Sequence, residues 1–509
     1  MPSGTPATAL AITGLVAISL ALRLEGLGSW LWMDEGISVG IASHPFLRIP
    51  GLLAQDGSPP LYYLVLHGWM ALVGSSETQT HALSLVFAVA AVPAGLWAGW
   101  TLFGRKAGWI VAILMATSPY LGFFATETRM YSLVVLLSLL ATAAYLHVFV
   151  YGRGRYQALF VVSLVLLLYT HNWGLYLAAA AVLGLVPCAM AAQDRPRLPR
   201  RAAMSFGAVL LLYLPWVPTL VTQARRTGAP WSPTPTVRET VSILGEVLGD
   251  TNERVLVALV LTAGVAVATM IRRRSTEGAA AAALVVLVAV TLGLGWGAAQ
   301  VKPAWSPRYL GVLFPPLVLL AGLGLARFAK QGMVALALVV LFWTQPFGRL
   351  TGEREALRPA NKSADRDIAE VVRSRLRPGD LVLATQMEEV PVLRYYLGPE
   401  LRYADPTGVV ANPRIVDWRE ASARMAAARP EAVLPAVDAL APGGHLLVVC
   451  PTTPTTPDVE WYVLMQDRCA DWKAVVSNSP VLRPVPDNGL KSFDEGGQRF
   501  LGLYEKVVS

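Results

Sequence analysis

Residues 131–150 read YSLVVLLSLLATAAYLHVFV, twenty consecutive positions with no Asp, Glu, Lys or Arg. A helix of about 20 apolar residues crosses the roughly 30 Å hydrocarbon core of a bilayer. Ten further apolar runs lie at 7–22, 82–103, 107–124, 156–173, 175–190, 202–221, 255–271, 278–299, 309–326 and 333–343. Hydrophobic residues are 54% of the 509 positions, charged residues 15%, and mean hydropathy is +0.49. A soluble surface needs about one quarter charged residues, so a helical polytopic membrane protein with about eleven spans is the expected fold class. The run at 7–22 follows no basic segment and ends in no clear cleavage pattern, so it reads as a retained first span. Pro215 and Pro218 predict a kink in the seventh.

The connections between runs alternate in charge. One set carries Arg105 and Lys106; Arg153 and Arg155; Arg195, Arg197, Arg200 and Arg201; Arg272, Arg273 and Arg274; Arg327 and Lys330, against only Asp194 and Glu277. The positive-inside rule makes these loops cytoplasmic, with the N-terminus inside and the chain after Pro346 outside. The same rule accounts for the net charge of +8, which in a soluble protein would suggest nucleic acid; no nucleic-acid partner is expected. Arginine outnumbers lysine strongly, which points to a GC-rich genome.

Two domains are predicted: a membrane domain, 1–346, and an extracytoplasmic α/β domain, 350–509. In the long outer loop 24–81, segments 36–47 and 60–72 are too short to cross and read as surface helices. Beyond 350, segments 381–385, 445–450, 474–476 and 499–507 read as strands, and 418–428 and 460–467 as helices. Three cysteines are too few for a disulfide framework or thiolate metal site. Cys450 and Cys469 are expected to form a disulfide, because both fall in the outer domain and the intervening proline- and threonine-rich stretch gives slack.

Five polar constellations interrupt this apolar background. They are Asp34-Glu35 behind Trp30 and Trp32, Asp56-Gly-Ser-Pro-Pro-Leu-Tyr62-Tyr63, Glu127-Thr-Arg129-Met-Tyr131, Tyr169-Thr-His171-Asn172-Trp173, and Pro307-Arg308-Tyr309. Each alone has a bland explanation: a solvated acidic pair, helix-entry punctuation, a salt-linked hairpin, a hydrogen-bonded core histidine, an arginine snorkelling to headgroups. The topology puts all five on the outer face at one depth. Carboxylates and cations gathered there suit an anionic lipid and a hydroxyl acceptor.

The ordered series resembles the GT-C glycosyltransferases over roughly residues 1–345, most closely the bacterial relatives of protein O-mannosyltransferases and the lipid A aminoarabinose transferase. That resemblance implies a GT-C-like fold and inverting sugar transfer from a polyprenyl-phosphate donor, outside the cytoplasm, to a glycan, glycolipid or protein hydroxyl. It implies Asp34 as general base, with Glu35 orienting the acceptor or supporting the loop. Arg308, then Arg129 and His171, with Tyr309, would hold the donor phosphate. Asp56, Tyr62, Tyr63, Glu127, Tyr131 and Asn172 would position substrate. Glu127 matches a position that binds a divalent cation in some members, but adjacent Asp34-Glu35 replaces the DxD-like pair of metal-dependent ones. Mannose and arabinofuranose are the expected sugars. A lipid-linked-sugar flippase would call for paired repeats and midplane charges, which the sequence lacks; a non-catalytic envelope assembly protein is the third reading.

Overall fold

The computed structural model describes residues 6–191, 195–248, 254–272, 275–328, 330–344, 363–451, 459–486, 490 and 500–507. Asp194, Arg273, Arg274, Pro346 and Arg499, used above, lie outside the described residues.

Every one of the eleven apolar runs is helical. Five helices are long and apolar enough to cross a membrane: Pro6–Leu24, Glu77–Phe103, Tyr131–Val150, Leu198–Arg226 and Thr276–Val301. The other apolar helices are shorter, Gly154–Leu168, Gly174–Ala189, Phe314–Arg327 and Lys330–Thr344 among them. Breaks account for part of the shortening. Run 107–124 divides into Arg105–Thr117 and Pro119–Phe124, where Ser118 ends one helix and its Oγ accepts the Leu121 N–H at 3.2 Å to cap the next. The helices pack through small residues, as expected where lipid supplies no hydrophobic drive for association. A Cβ on Gly99 would lie 2.8 Å from Gly108 Cα, so Glu77–Phe103 and Arg105–Thr117 touch backbone to backbone. Arg23, buried at the end of Pro6–Leu24, donates to the Ala116 and Met115 carbonyls at 2.8 and 3.1 Å and ties the first helix to that hairpin.

The outer loop holds three helices. Expected segment 36–47 becomes α1 (Met33–Ala42), which ends before Pro45, because the residue preceding a proline is driven out of the helical region. The chain bends by 118° and continues through Phe46–Arg48 into α2 (Ile49–Asp56), a helix absent from the sequence reading. Gly57, at φ 98°, closes α2 by donating its N–H to Leu53 O at 3.0 Å, a left-handed conformation that favours glycine. α3 (Leu61–Val73) follows.

The chain from 381 onward builds a six-stranded sheet from β1 (Leu381–Ala384), β2 (Arg402–Asp405), β3 (Gly408–Val409), β4 (His445–Val449), β5 (Leu482–Pro484) and β6 (Leu501–Lys506). The order is β3-β2-β1-β4-β6-β5, with β1 parallel to β2 and β4 and the other pairs antiparallel. β1 and β4 are buried along their length because both faces are covered. Leu381, Leu383, Leu446 and Val448 face helix Glu460–Asn478; Val382, Ala384, Leu447 and Val449 face helices Asp365–Val372 and Val390–Leu397. Segment 474–476, expected as a strand, is the end of Glu460–Asn478. Trp461, Met465, Cys469, Trp472 and Val476 recur at helical spacing on its buried face, a period that the short Ala-Val-Val run concealed. Cys450 and Cys469 form the expected disulfide, Cα atoms 5.6 Å apart.

The sheet unit is docked on α1. A Cβ on Gly36 would lie 2.6 Å from Val392 Cβ, and one on Gly40 would strike the Arg414 carbonyl. Tyr396 Oη accepts the Leu31 N–H at 2.8 Å, and Trp418 N–H donates to Gln55 O at 3.0 Å.

Candidate active site

Asp34 and Glu35 are neighbours in the first turn of α1, and a helix points adjacent side chains in different directions. Glu35 turns inward and is fully buried. Its Oε1 accepts the Thr128 N–H at 2.7 Å and a hydrogen bond from His81 Nε2 at 2.7 Å, and its Oε2 accepts the Trp32 N–H at 3.2 Å. The other His81 nitrogen, Nδ1, faces the Leu27 carbonyl at 2.9 Å. With an acceptor on each side, the His81 ring forms a buried hydrogen-bonded link between the Glu35 carboxyl group and the Leu27 carbonyl. The pair joins the exit of the first span, α1, helix Glu77–Phe103 and the loop at 128. Glu35 therefore supports the loop. His81, which the sequence did not single out, is its partner.

Asp34 turns the other way, toward two arginines. Its Oδ2 pairs with Arg308 Nη1 at 2.6 Å and lies 4.0 Å from Arg129 Nη2. The three side chains are 16, 16 and 11% exposed, so the group is reachable but largely screened from water. Arg308 sits in the tight turn Pro307–Val312, where Tyr120 Oη donates to the Arg308 carbonyl at 3.1 Å. Its guanidinium lies 4.6 Å from the ring centre of Trp231, and 5.6 Å from those of Trp32 and Tyr309. Trp231, in the loop between helices Val217–Arg226 and Val237–Val247, completes a cation–π cage whose members are scattered through the sequence. Arg129 Nη1 donates to Ser38 Oγ at 3.0 Å and the Asp34 carbonyl at 3.3 Å, and lies over Tyr131. Burial opposes the charge on both guanidinium groups. The Asp34 carboxylate and nearby phenol groups outweigh it, and both arginines stay above the usual range.

The remaining candidates divide. Tyr131, His171 and Tyr309 form a wall, with His171 5.2 Å from the Tyr309 ring and 6.0 Å from Tyr131. Burial, with Arg129 and Arg308 beside it, pushes His171 down to about 3. That keeps the imidazole neutral. Because its Nδ1 accepts the Trp173 N–H at 3.2 Å, Nε2 carries the proton and His171 is a hydrogen-bond donor. Asn172 Nδ2 donates to Gly57 O at 3.1 Å, lashing this loop to the end of α2. Tyr62 is buried with its hydroxyl 3.4 Å from Ser84 Oγ. Asp56 is half-buried and bonded to Ser58; burial raises its carboxyl, partly offset by those bonds and by Arg129. Glu127 is buried. The buried Arg129 Nε, Arg308 Nε, Tyr131 Oη and Asn172 Oδ1 have no hydrogen-bond partner among the described residues. Polar atoms left so are costly unless a polar ligand satisfies them.

These residues do not fit a divalent cation. Among the described residues no three His, Cys, Asp or Glu side chains converge, and the groups closest to the Asp34 carboxylate are guanidinium cations.

No family model matches the chain, and no curated protein matches it by sequence. Solved structures do. Apo ArnT from Cupriavidus metallidurans superposes with a TM-score of 0.62 at 14% identity, covering 98% of each chain. ArnT bound to undecaprenyl phosphate gives 0.63 at 15% identity over 97% of each. The fold is that of the GT-C glycosyltransferases. The archaeal oligosaccharyltransferase AglB from Archaeoglobus fulgidus, in complex with an inhibitory peptide and a dolichol-phosphate, gives 0.54 at 11% identity over 87% of this chain and 69% of AglB. The GT-C likeness spans the sheet unit as well as the helices, whereas the sequence motifs stop near residue 345.

Proposed function

We propose that the protein is a polyprenyl-phosphate-sugar-dependent glycosyltransferase that transfers a sugar, mannose or arabinofuranose, to a hydroxyl acceptor on the outer membrane face. The observation carrying this reading is the Asp34–Arg308 pair, with Arg129 beside it and aromatic rings on three sides. The ArnT and AglB structures hold undecaprenyl phosphate and dolichol-phosphate on a similar fold, which supports a lipid-phosphate ligand here. About eleven membrane passes, a membrane domain 1–346 and an extracytoplasmic domain 350–509 complete the proposal. The disulfide supports that sidedness, since such bonds persist in oxidising compartments.

The chemistry follows from the charges. The donor phosphate competes with Asp34 for Arg308, whose planar fork can grip two phosphate oxygens. Once the phosphate engages the guanidinium, Asp34 loses its nearest counter-charge and becomes a stronger base. It takes the proton of the acceptor hydroxyl as that oxygen bonds to the anomeric carbon from the face opposite the phosphate. The carbon–oxygen bond to phosphate breaks, its electron pair leaves with the polyprenyl phosphate, and the anomeric configuration inverts. Arg308 and Arg129 stabilise the departing charge, and His171 offers a neutral N–H.

Binding of undecaprenyl phosphate to the purified protein tests the phosphate assignment. Arg308→Ala should weaken it by about tenfold or more, and Arg308→Lys by less, because lysine keeps the charge and loses the fork. Unchanged affinity in both would return Arg308 to the role of a headgroup-seeking arginine.

A further inference from the structure

Glu388 is a carboxyl group that the sheet unit brings to the site, and nothing in the sequence marks it. It lies in the short turn Met387–Glu389 that follows β1 and is 3% exposed. Trp461 Nε1–H donates to its Oε1 at 2.9 Å, and the Glu388 N–H and the Gln386 side chain also interact with the carboxyl group, while its Oε2 has no partner at good hydrogen-bond geometry among the described residues. Gln386, two residues earlier, donates to Met33 Sδ at 3.4 Å, so this turn rests on the start of α1, beside Asp34. The charges of Glu388 and Asp34 interact, and Tyr462, next to Trp461, senses both Glu388 and Arg308.

The topology gives this placement a reason. From β1 the chain crosses to β2 on one side, while β4 lies on the other and its following helix crosses away. The carboxyl ends of β1 and β4 are therefore a topological switch point, the place where open α/β sheets bind ligands. Glu388 comes from the β1 lip and Trp461 from the helix after β4. The Cys450–Cys469 disulfide fixes that helix to the end of β4. Burial raises the Glu388 carboxyl to about 7, with Asp34 pushing the same way, the behaviour of an acid group kept from water. A buried carboxyl with one oxygen unpaired is costly, and a ligand hydroxyl would satisfy it.

We propose that this switch point, where the sheet unit meets α1, is the acceptor subsite and that Glu388 Oε2 receives a hydrogen bond from a second hydroxyl of the acceptor, next to the one Asp34 deprotonates. Neighbouring hydroxyls are a property of carbohydrate, so the acceptor is a glycan or glycolipid headgroup. This rests on the glycosyltransferase reading.

The test uses full-length protein, the host's own polyprenyl-phosphate-sugar fraction as donor and its envelope carbohydrate fraction as acceptor, each varied in turn. Glu388→Gln should raise the acceptor concentration for half-maximal transfer about tenfold and leave the donor concentration unchanged. Trp461→Phe, which removes the Oε1 partner and trims a buried ring, should shift it less in the same direction. Undecaprenyl phosphate binding by both variants should match wild type, which separates loss of the subsite from loss of the fold. A shift in the donor concentration instead, no shift in either, or transfer to peptide in preference to the carbohydrate fraction overturns the assignment. No transfer by wild-type protein defeats the glycosyltransferase reading itself.

Discussion

The two ends of the helical body carry the same residue type in different physical states. At the end assigned to the cytoplasm, Arg105, Arg155, Arg197, Arg200, Arg272 and Arg327 are exposed, and the Arg327–Glu277 pair is among solvated groups. At the opposite end, Arg129 and Arg308 are largely buried against one carboxylate and several aromatic rings. Exposed cations at span ends set topology and contribute little energy individually. Cations drawn into a low-dielectric rim need a partner, and here Asp34 is shared between the two guanidinium groups, with Asp56 also acting on Arg129. The difference marks which end handles an anion.

The largest effect that sharpens this contrast concerns the other member of the acidic pair. Glu35→Ala leaves buried His81 Nε2 and the Thr128 and Trp32 N–H groups without their shared acceptor, and a buried donor left unsatisfied typically costs about 1–3 kcal/mol. Thermal unfolding of the purified protein should show a larger drop for Glu35→Ala than for Asp34→Asn, whose amide oxygen can still accept from Arg308. Equal drops would mean that the two carboxylates share one structural role. At the small end of the scale, Arg200→Gln should change stability by less than about 0.5 kcal/mol and leave undecaprenyl phosphate affinity at the wild-type value. A loss comparable to that of Arg308→Ala would erase the distinction between the two ends.

Much of this was legible in the sequence because lipid imposes a simple rule: apolar runs become helices, and every run expected to be helical is. The outer constellations also converge as topology suggested, since sidedness is a property of loop charge. What stayed hidden depends on distance in space. His81 sits in an unremarkable Thr-His pair at the start of a helix, and only its contacts with Glu35 and Leu27 reveal its role. The neutrality of His171 follows from burial beside two arginines far away in sequence. Glu388 stands 354 positions beyond Asp34 and meets it only through the docking of Gly36 and Gly40 against the sheet unit. The strand expected at 474–476 failed because three residues are too few to distinguish a strand from a turn of helix.

The central claim is that Asp34 is the base of a transfer reaction whose phosphate is held by Arg308, and one variant isolates it. Purified Asp34→Asn and wild-type protein should be compared for sugar transfer from the host's polyprenyl-phosphate-sugar fraction and, separately, for undecaprenyl phosphate binding. The account predicts transfer lowered by about 10²–10⁴-fold with lipid-phosphate binding retained, because asparagine keeps the shape and loses the basic oxygen. Near-wild-type transfer by Asp34→Asn would contradict it.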